Sequence, residues 1–153
     1  MDFELIKELL INSLLEKGYL SLDFDSEDES SITFIGSRDV PEIDDACGVM
    51  INLFVDEEDP NLSCVNIIYQ FDELEHSLSS YMKINMYNAC VPFFKAYIMD
   101  LEEGPILSFQ VSTTLHGDER NVVDMICELD TEFDAENALP YLVNLFKQED
   151  CKD

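Results

Sequence analysis

Gly48-Val49-Met50-Ile51-Asn52-Leu53-Phe54-Val55 runs into Asp56-Glu57-Glu58-Asp59-Pro60-Asn61, and the chain resumes with Leu62-Ser63-Cys64-Val65-Asn66-Ile67-Ile68-Tyr69-Gln70-Phe71. The outer segments are rich in β-branched and aromatic residues and the middle one in turn formers, so they are expected to pair as an antiparallel hairpin. In the returning segment Val65, Ile67, Tyr69 and Phe71 fall on one side, with Cys64, Asn66, Ile68 and Gln70 on the other. Side chains alternate along a strand, so this pattern predicts a sheet with one buried and one open face.

Downstream, Asp72 resembles an N-cap, and Glu73 and Glu75 suit the positive end of a helix dipole. Leu74, Leu78, Tyr81, Met82 and Asn85 keep helical spacing to about Ala89, and Pro92 blocks further helix. Phe93 to Asp100 and Ile106 to Leu115 flank Leu101-Glu102-Glu103-Gly104-Pro105 as a second hairpin. There Leu107, Phe109 and Val111 oppose Ser108, Gln110 and Ser112. Asp118 reads as the cap of a final helix carrying Val122, Ile126, Leu129 and Phe133. Its pattern resumes at Leu139, Leu142, Leu145 and Phe146, with Pro140 predicting a kink or a break.

Upstream, Phe3, Ile6, Leu9, Leu10 and Leu14 predict an amphipathic helix stopped by Gly18. Tyr19 to Phe24 is expected as a strand with Leu20, Leu22 and Phe24 on one face, and Asp25 to Ser30 as a loop. Ser31 to Ile35 reads as a short strand ending at Gly36, followed by an irregular Ser37 to Asp45 around Pro41.

The resulting order, α-β-β-β-β-α-β-β-α, is that of an α+β domain: a mainly antiparallel sheet of about six strands with helices packed on it. It is expected as a single domain over residues 1–148, followed by a short charged tail at 149–153. The sheet's open face supplies the candidate partner-binding residues Phe54, Asn66, Ile68, Gln70, Ser108 and Gln110. The plainer expectation for such a face is simple solvation.

Apolar residues make up 46% of the 153, which places the chain among folded domains. Charge is its unusual property: Lys and Arg total 8 against 34 Asp and Glu, a net −26. Such a surface repels phosphate backbones and anionic leaflets, so neither nucleic acid nor membrane is expected as a partner. A basic protein partner is compatible, although solubility alone accounts for the charge. Cys47, Cys64, Cys90, Cys127 and Cys151 are odd in number and widely spaced, fitting neither a disulfide framework nor a zinc ribbon. Of these, Cys151 in the charged tail is expected to be exposed. Free thiols and the acidic start Met1-Asp2-Phe3-Glu4 lead to the expectation of a cytoplasmic protein. The sequon Asn61-Leu62-Ser63 is without consequence in that compartment.

Gly48 to Glu58 with its returning strand and the helix behind it resembles the YbjN-like bacterial proteins. So do Asn85-Met86-Tyr87-Asn88-Ala89-Cys90-Val91-Pro92-Phe93-Phe94-Lys95-Ala96-Tyr97 and Asn137-Ala138-Leu139-Pro140-Tyr141-Leu142. That family resembles type III secretion chaperones in fold, which are small, acidic, cytosolic and usually dimeric. The resemblance implies a regulator or chaperone-like adaptor, a homodimer, and no catalytic residues to transfer.

Reactive constellations are missing from the sequence. His76 and His116 are the residues able to act as bases near neutral pH without strong perturbation, and neither has a partner readable from spacing. A nucleophile built from Cys64 or Cys90 with a histidine lacks any local signature. Asp23-x-Asp25-x-Glu27 begins like a calcium loop, but Asp28 stands where glycine is needed and Phe34 where the bidentate glutamate belongs. No glycine-rich loop precedes a helix, and no cofactor or metal is expected. Three functions follow as expectations. The first is a non-enzymatic acidic protein-binding module. The second is a secretion chaperone proper. The third is a small-ligand sensor or enzyme with a pocket between sheet and helices, where Asn85, Tyr87 and Asn88 would orient the ligand.

Overall fold

In the computed structural model, which describes residues 1–41, 45–71, 78–90, 94–135 and 138–147, the central alternation builds a six-stranded antiparallel sheet. Its strands are β1 (Ser21–Glu27), β2 (Ser31–Val40), β3 (Asp45–Val55), β4 (Leu62–Phe71), β5 (Lys95–Leu101) and β6 (Gly104–His116), in the spatial order β1-β2-β3-β4-β6-β5. Among the described residues four helices accompany it: α1 (Phe3–Glu16), α2 (Leu78–Cys90), α3 (Glu119–Glu132) and α4 (Leu139–Lys147). The fold is α+β, as the element order predicts.

The turn between β3 and β4 is organised by Asp56, whose Oδ1 accepts the backbone N–H of Glu58 at 2.8 Å and of Asp59 at 3.0 Å. On β4 and β6 every position assigned to the covered face from the sequence is buried: Val65, Ile67, Tyr69 and Phe71, and Leu107, Phe109 and Val111. They join Ile6, Leu10 and Leu14 of α1, Val122 and Ile126 of α3, and Leu139 and Leu142 of α4 in one apolar cluster. Phe133 closes its centre, stacked on Tyr69 with ring centroids 3.8 Å apart and edge-on to Phe109.

Three local expectations need correction. β2 does not end at Gly36, and Ser37 to Asp45 is not irregular throughout: β2 runs to Val40 and pairs with a β3 that begins at Asp45. Gly36 is there for close approach, because a Cβ on it would lie 2.3 Å from the Ser21 carbonyl oxygen of β1. β1 begins at Ser21 and extends to Glu27 through a bulge between Phe24 and Ser26, so Asp25 to Glu27 belongs to a strand. Only Leu22 of the expected trio is buried; Leu20 precedes this edge strand and Phe24 stays largely exposed under the Lys7 ammonium. At Pro140 the final helical pattern breaks in two. The proline lies in the first turn of α4, where its missing N–H costs nothing.

The helix ends follow their capping signals. Asp2 caps α1, and Gly18, at φ 107°, closes it in a Schellman turn: Gly18 N–H donates to Leu15 O and Tyr19 N–H to Leu14 O. Asp118 caps α3 in a reciprocal pair with Asn121. Asp72, Glu73, Leu74, Glu75, His76, Pro92 and the 149–153 tail lie outside the described residues.

Candidate functional site

The register places the candidate residues on the sheet face away from the helices. Four cross-strand rows span β2, β3, β4 and β6: Ser37–Gly48–Gln70–Ser108, Ile35–Met50–Ile68–Gln110, Thr33–Asn52–Asn66–Ser112 and Ser31–Phe54–Cys64–Thr114. No residue of these rows belongs to the apolar cluster that joins sheet and helices, and none is charged. Asn66, Ile68, Gln70, Ser108 and Gln110 are thus contiguous, and Phe54 lies beside Cys64 one row beyond Asn66.

Their environments differ. Phe54 is 50% exposed and Ile35 44% exposed, while Asn66, Ile68, Gln70 and Gln110 are half-buried by their neighbours. Ser108 is fully buried, and among the described residues its Oγ has no hydrogen-bond partner, so it offers no exposed atom. A polar network holds the centre. Tyr97 OH donates to Gln110 Oε1 at 2.9 Å, Gln110 Nε2 to Asn66 Oδ1 at 2.7 Å, and Ser112 Oγ to the same Asn66 oxygen at 2.9 Å. Thr33 Oγ1 donates to Asn52 Oδ1 at 2.9 Å further along the row. Burial is the main cause that raises the Tyr97 pKa, so this phenol stays a donor at neutral pH. The result is an uncharged block with hydrogen-bonded amides and exposed apolar side chains at Phe54 and Ile35.

A second constellation is not among the sequence candidates. Asp130 of α3 is only 1% exposed, yet it is paired with two cations. Its carboxylate accepts from Tyr19 OH, from Tyr69 OH at 2.8 Å, from Lys17 Nζ at 2.9 Å and from Arg38 Nη1 at 3.0 Å. Arg38 turns its other nitrogen to Asp134 at 2.7 Å and lies 4.8 Å over the Phe133 ring. Burial works to raise the Asp130 pKa, but Arg38, Tyr19 and Lys17 outweigh it and hold the carboxyl below its ordinary range. Burial also pushes the neighbouring Cys47 thiol up to about 12, which makes it unreactive. A cleft of about 320 Å³ opens beside Asp130 and is lined by Lys17, Tyr19, Arg38 and Asp134 among others. The donors around it already serve Asp130 and Asp134, so the group is a clasp between sheet and helices. The Schellman turn at Gly18 is what delivers Tyr19 to it.

The clasp had one legible signal. Val122, Ile126 and Asp130 are spaced i, i+4, i+8, so an acid stands on the apolar stripe of α3. Arg38 likewise follows Ile32, Phe34 and Gly36 on the buried side of β2.

The residues considered for a ligand pocket are otherwise engaged. Asn88 Oδ1 accepts the Ala96 N–H at 2.8 Å and its Nδ2 donates to the Ala96 carbonyl at 2.9 Å, so the side chain pairs with edge strand β5 as another strand would. Tyr87 is buried against Phe109 and Tyr141, its hydroxyl without a partner among the described residues, and Asn85 is exposed. His116 Nε2 lies 3.1 Å from Asp59 Oδ2 at the surface. Among the described residues no helix is long and apolar enough to cross a membrane. Compared with protein-family models and with curated proteins, the sequence matches none.

Proposed function

We propose that this chain is a non-enzymatic, acidic protein-binding module that meets protein through the uncovered face of its sheet. The observation that carries the reading is the charge-free block on β2, β3, β4 and β6, set in a chain of net charge −26. Interface centres are depleted in charged residues, whereas a face that serves only to be wetted has no reason to be. The protruding Phe54 and Ile35 supply apolar contacts, and the Tyr97–Gln110–Asn66–Ser112 network presents amides already fixed in place. The resemblance to YbjN-like proteins, regulators or chaperone-like adaptors, supports the same class of function. Free thiols at Cys47, Cys64, Cys90 and Cys127 support a reducing, cytoplasmic setting.

Immobilised protein challenged with native lysate or with its own soluble form tests the reading when wild type is compared with Phe54→Asp. Retention lost with the substitution supports it. Equal retention by both forms, or none by either, contradicts it.

A further inference from the structure

We propose that the outer face of α2 is a contact surface separate from the sheet face, and that it takes an amphipathic helix of another protein whose apolar stripe is bordered by Asp and Glu. What the face exposes, how charge is shared among the helices and how the side chains are spaced each point to this partner.

α2 buries Ser80, Ile84 and Tyr87 and leaves Tyr81, Met82, Asn85, Met86 and Ala89 exposed on its other side. Tyr81 is 50%, Met86 54% and Met82 63% exposed, and among the described residues no large apolar side chain is more exposed than Met82. A helix face that is only wetted carries charged and polar residues. This one carries no charge and two methionines, whose unbranched thioether side chains repack around varied apolar partners. Laying an apolar stripe on such a surface is an established mode of helix recognition.

Charge separates the helices into two pairs. α1 packs on α3, and α2 packs on α4. α1 holds Glu4, Glu8 and Glu16 and α3 holds five acids, whereas α2 and α4 hold none and carry Lys83 and Lys147. From Ser77 to Met99 the sequence has no Asp or Glu, in a chain with 34 of them. Lys83 borders the exposed stripe, with its ammonium 5.7 Å from the centroid of the Phe146 ring on α4. A helix with basic flanks would be drawn to α1 and α3 and would meet a cation at α2. A helix with acidic flanks is repelled by α1 and α3 and meets no acid on α2. Repulsion elsewhere thus directs it to this face.

The spacing suits a helix. Tyr81, Asn85 and Ala89 form one row at i, i+4 and i+8, and Met82 and Met86 form the next. Rows of this kind receive the ridges of a second helix at a crossing angle of about 50°. The contact then centres on Met82 and Met86 and ends short of Cys90, which stands at the α4 margin against the Tyr141 hydroxyl. A strand fits less well. The backbone groups of α2 are spent within the helix, and Asn88 already covers the neighbouring edge of β5 at Ala96.

Fluorescence anisotropy with two synthetic helical peptides tests the proposal. Both carry the same leucine stripe, flanked by Glu in one and by Lys in the other. At about 0.15 M salt, where repulsion between acidic bodies is screened beyond about 8 Å, the Glu-flanked peptide is expected to bind wild type. Met82→Asp and Met86→Asp, both at exposed positions, should weaken it about tenfold or more. Lys83→Gln should weaken it about two- to fivefold, and Phe54→Asp on the sheet face should leave it unchanged, all with wild-type circular dichroism. The Lys-flanked peptide should come off as salt rises and should ignore both methionine substitutions. A Glu-flanked peptide that wild type does not bind, or that both methionine variants bind as wild type does, overturns the proposal. Wild type that instead pairs with itself through Met82 and Met86 in light scattering, or that sediments with vesicles of anionic lipid, overturns it as well. Either failure leaves the sheet-face reading standing, because that reading is tested by Phe54→Asp.

Discussion

Arg38 Nη1 and Asp130 Oδ1 lie 3.0 Å apart, one on β2 and the other on α3, with both side chains withdrawn from solvent. Tyr19, Tyr69 and Lys17 complete the shell around the carboxylate, so the α1–β1 junction, β2 and β4 are tied to α3 at one point. A buried charge is tolerable only when its partners are in place.

Truncating the acid should therefore be costly. Asp130→Ala leaves Arg38 short of one of its two carboxylates and two tyrosine hydroxyls unpaired in the interior, and stability should fall by about 3–5 kcal/mol. Asp130→Asn keeps the shape and some hydrogen bonds and should cost less. Urea unfolding followed by circular dichroism measures both. Losses within about 0.5 kcal/mol for the alanine variant would show that the clasp is dispensable.

The same carboxylate sets a pH dependence. Folding lowers its pKa, so the unfolded chain takes up the proton first. The stabilisation is complete above the unfolded value near ~3.9 and is lost as pH falls through the lower folded value. Wild type should thus lose stability more steeply than Asp130→Asn on going from about pH 5 to about pH 2. The remaining carboxylates titrate in both proteins and cancel in the difference. Parallel stability curves would contradict the assignment.

These residues also show what the sequence could and could not disclose. The sheet faces were readable because Val65, Ile67, Tyr69 and Phe71 alternate without interruption, as do Leu107, Phe109 and Val111. Gly36 misled because a glycine inside a strand looks like a stop, when it marks the place where β1 comes too close for a Cβ. The clasp stayed hidden because Lys17, Tyr19, Arg38, Tyr69 and Asp130 come from distant points in the chain, and only the acid on an apolar stripe hinted at it. The candidate face was legible as a set of positions. That its four central rows hold no charged residue emerges only when the strand register aligns them.

Gly36→Ala tests the close approach directly. The added Cβ would sit 2.3 Å from the backbone oxygen of Ser21, so β1 must shift or detach. A loss of about 1–3 kcal/mol in denaturant unfolding is expected, as for overpacking elsewhere. An unchanged midpoint would mean that β1 moves freely at this point.

Asn88→Ala should act on the opposite edge. It removes two hydrogen bonds to Ala96 and bares the backbone of β5 at that residue. Stability should drop by about 1–3 kcal/mol, and concentrated samples should aggregate sooner because an unpaired strand edge recruits other strands. Thermal unfolding with light scattering reads both effects, and a variant matching wild type in each would rule out the edge-covering role.

The contact surface itself carries a reporter, since Cys64 stands on the uncharged face and Cys90 is exposed at the end of α2. Alkylation of the native protein, mapped to each cysteine by mass spectrometry, compares the ratio of the two rates in buffer and in native lysate, which supplies protein partners. Cys64 should become markedly slower relative to Cys90 in the lysate. An unchanged ratio, or protection of Cys90 in place of Cys64, would contradict the use of this face for protein contact.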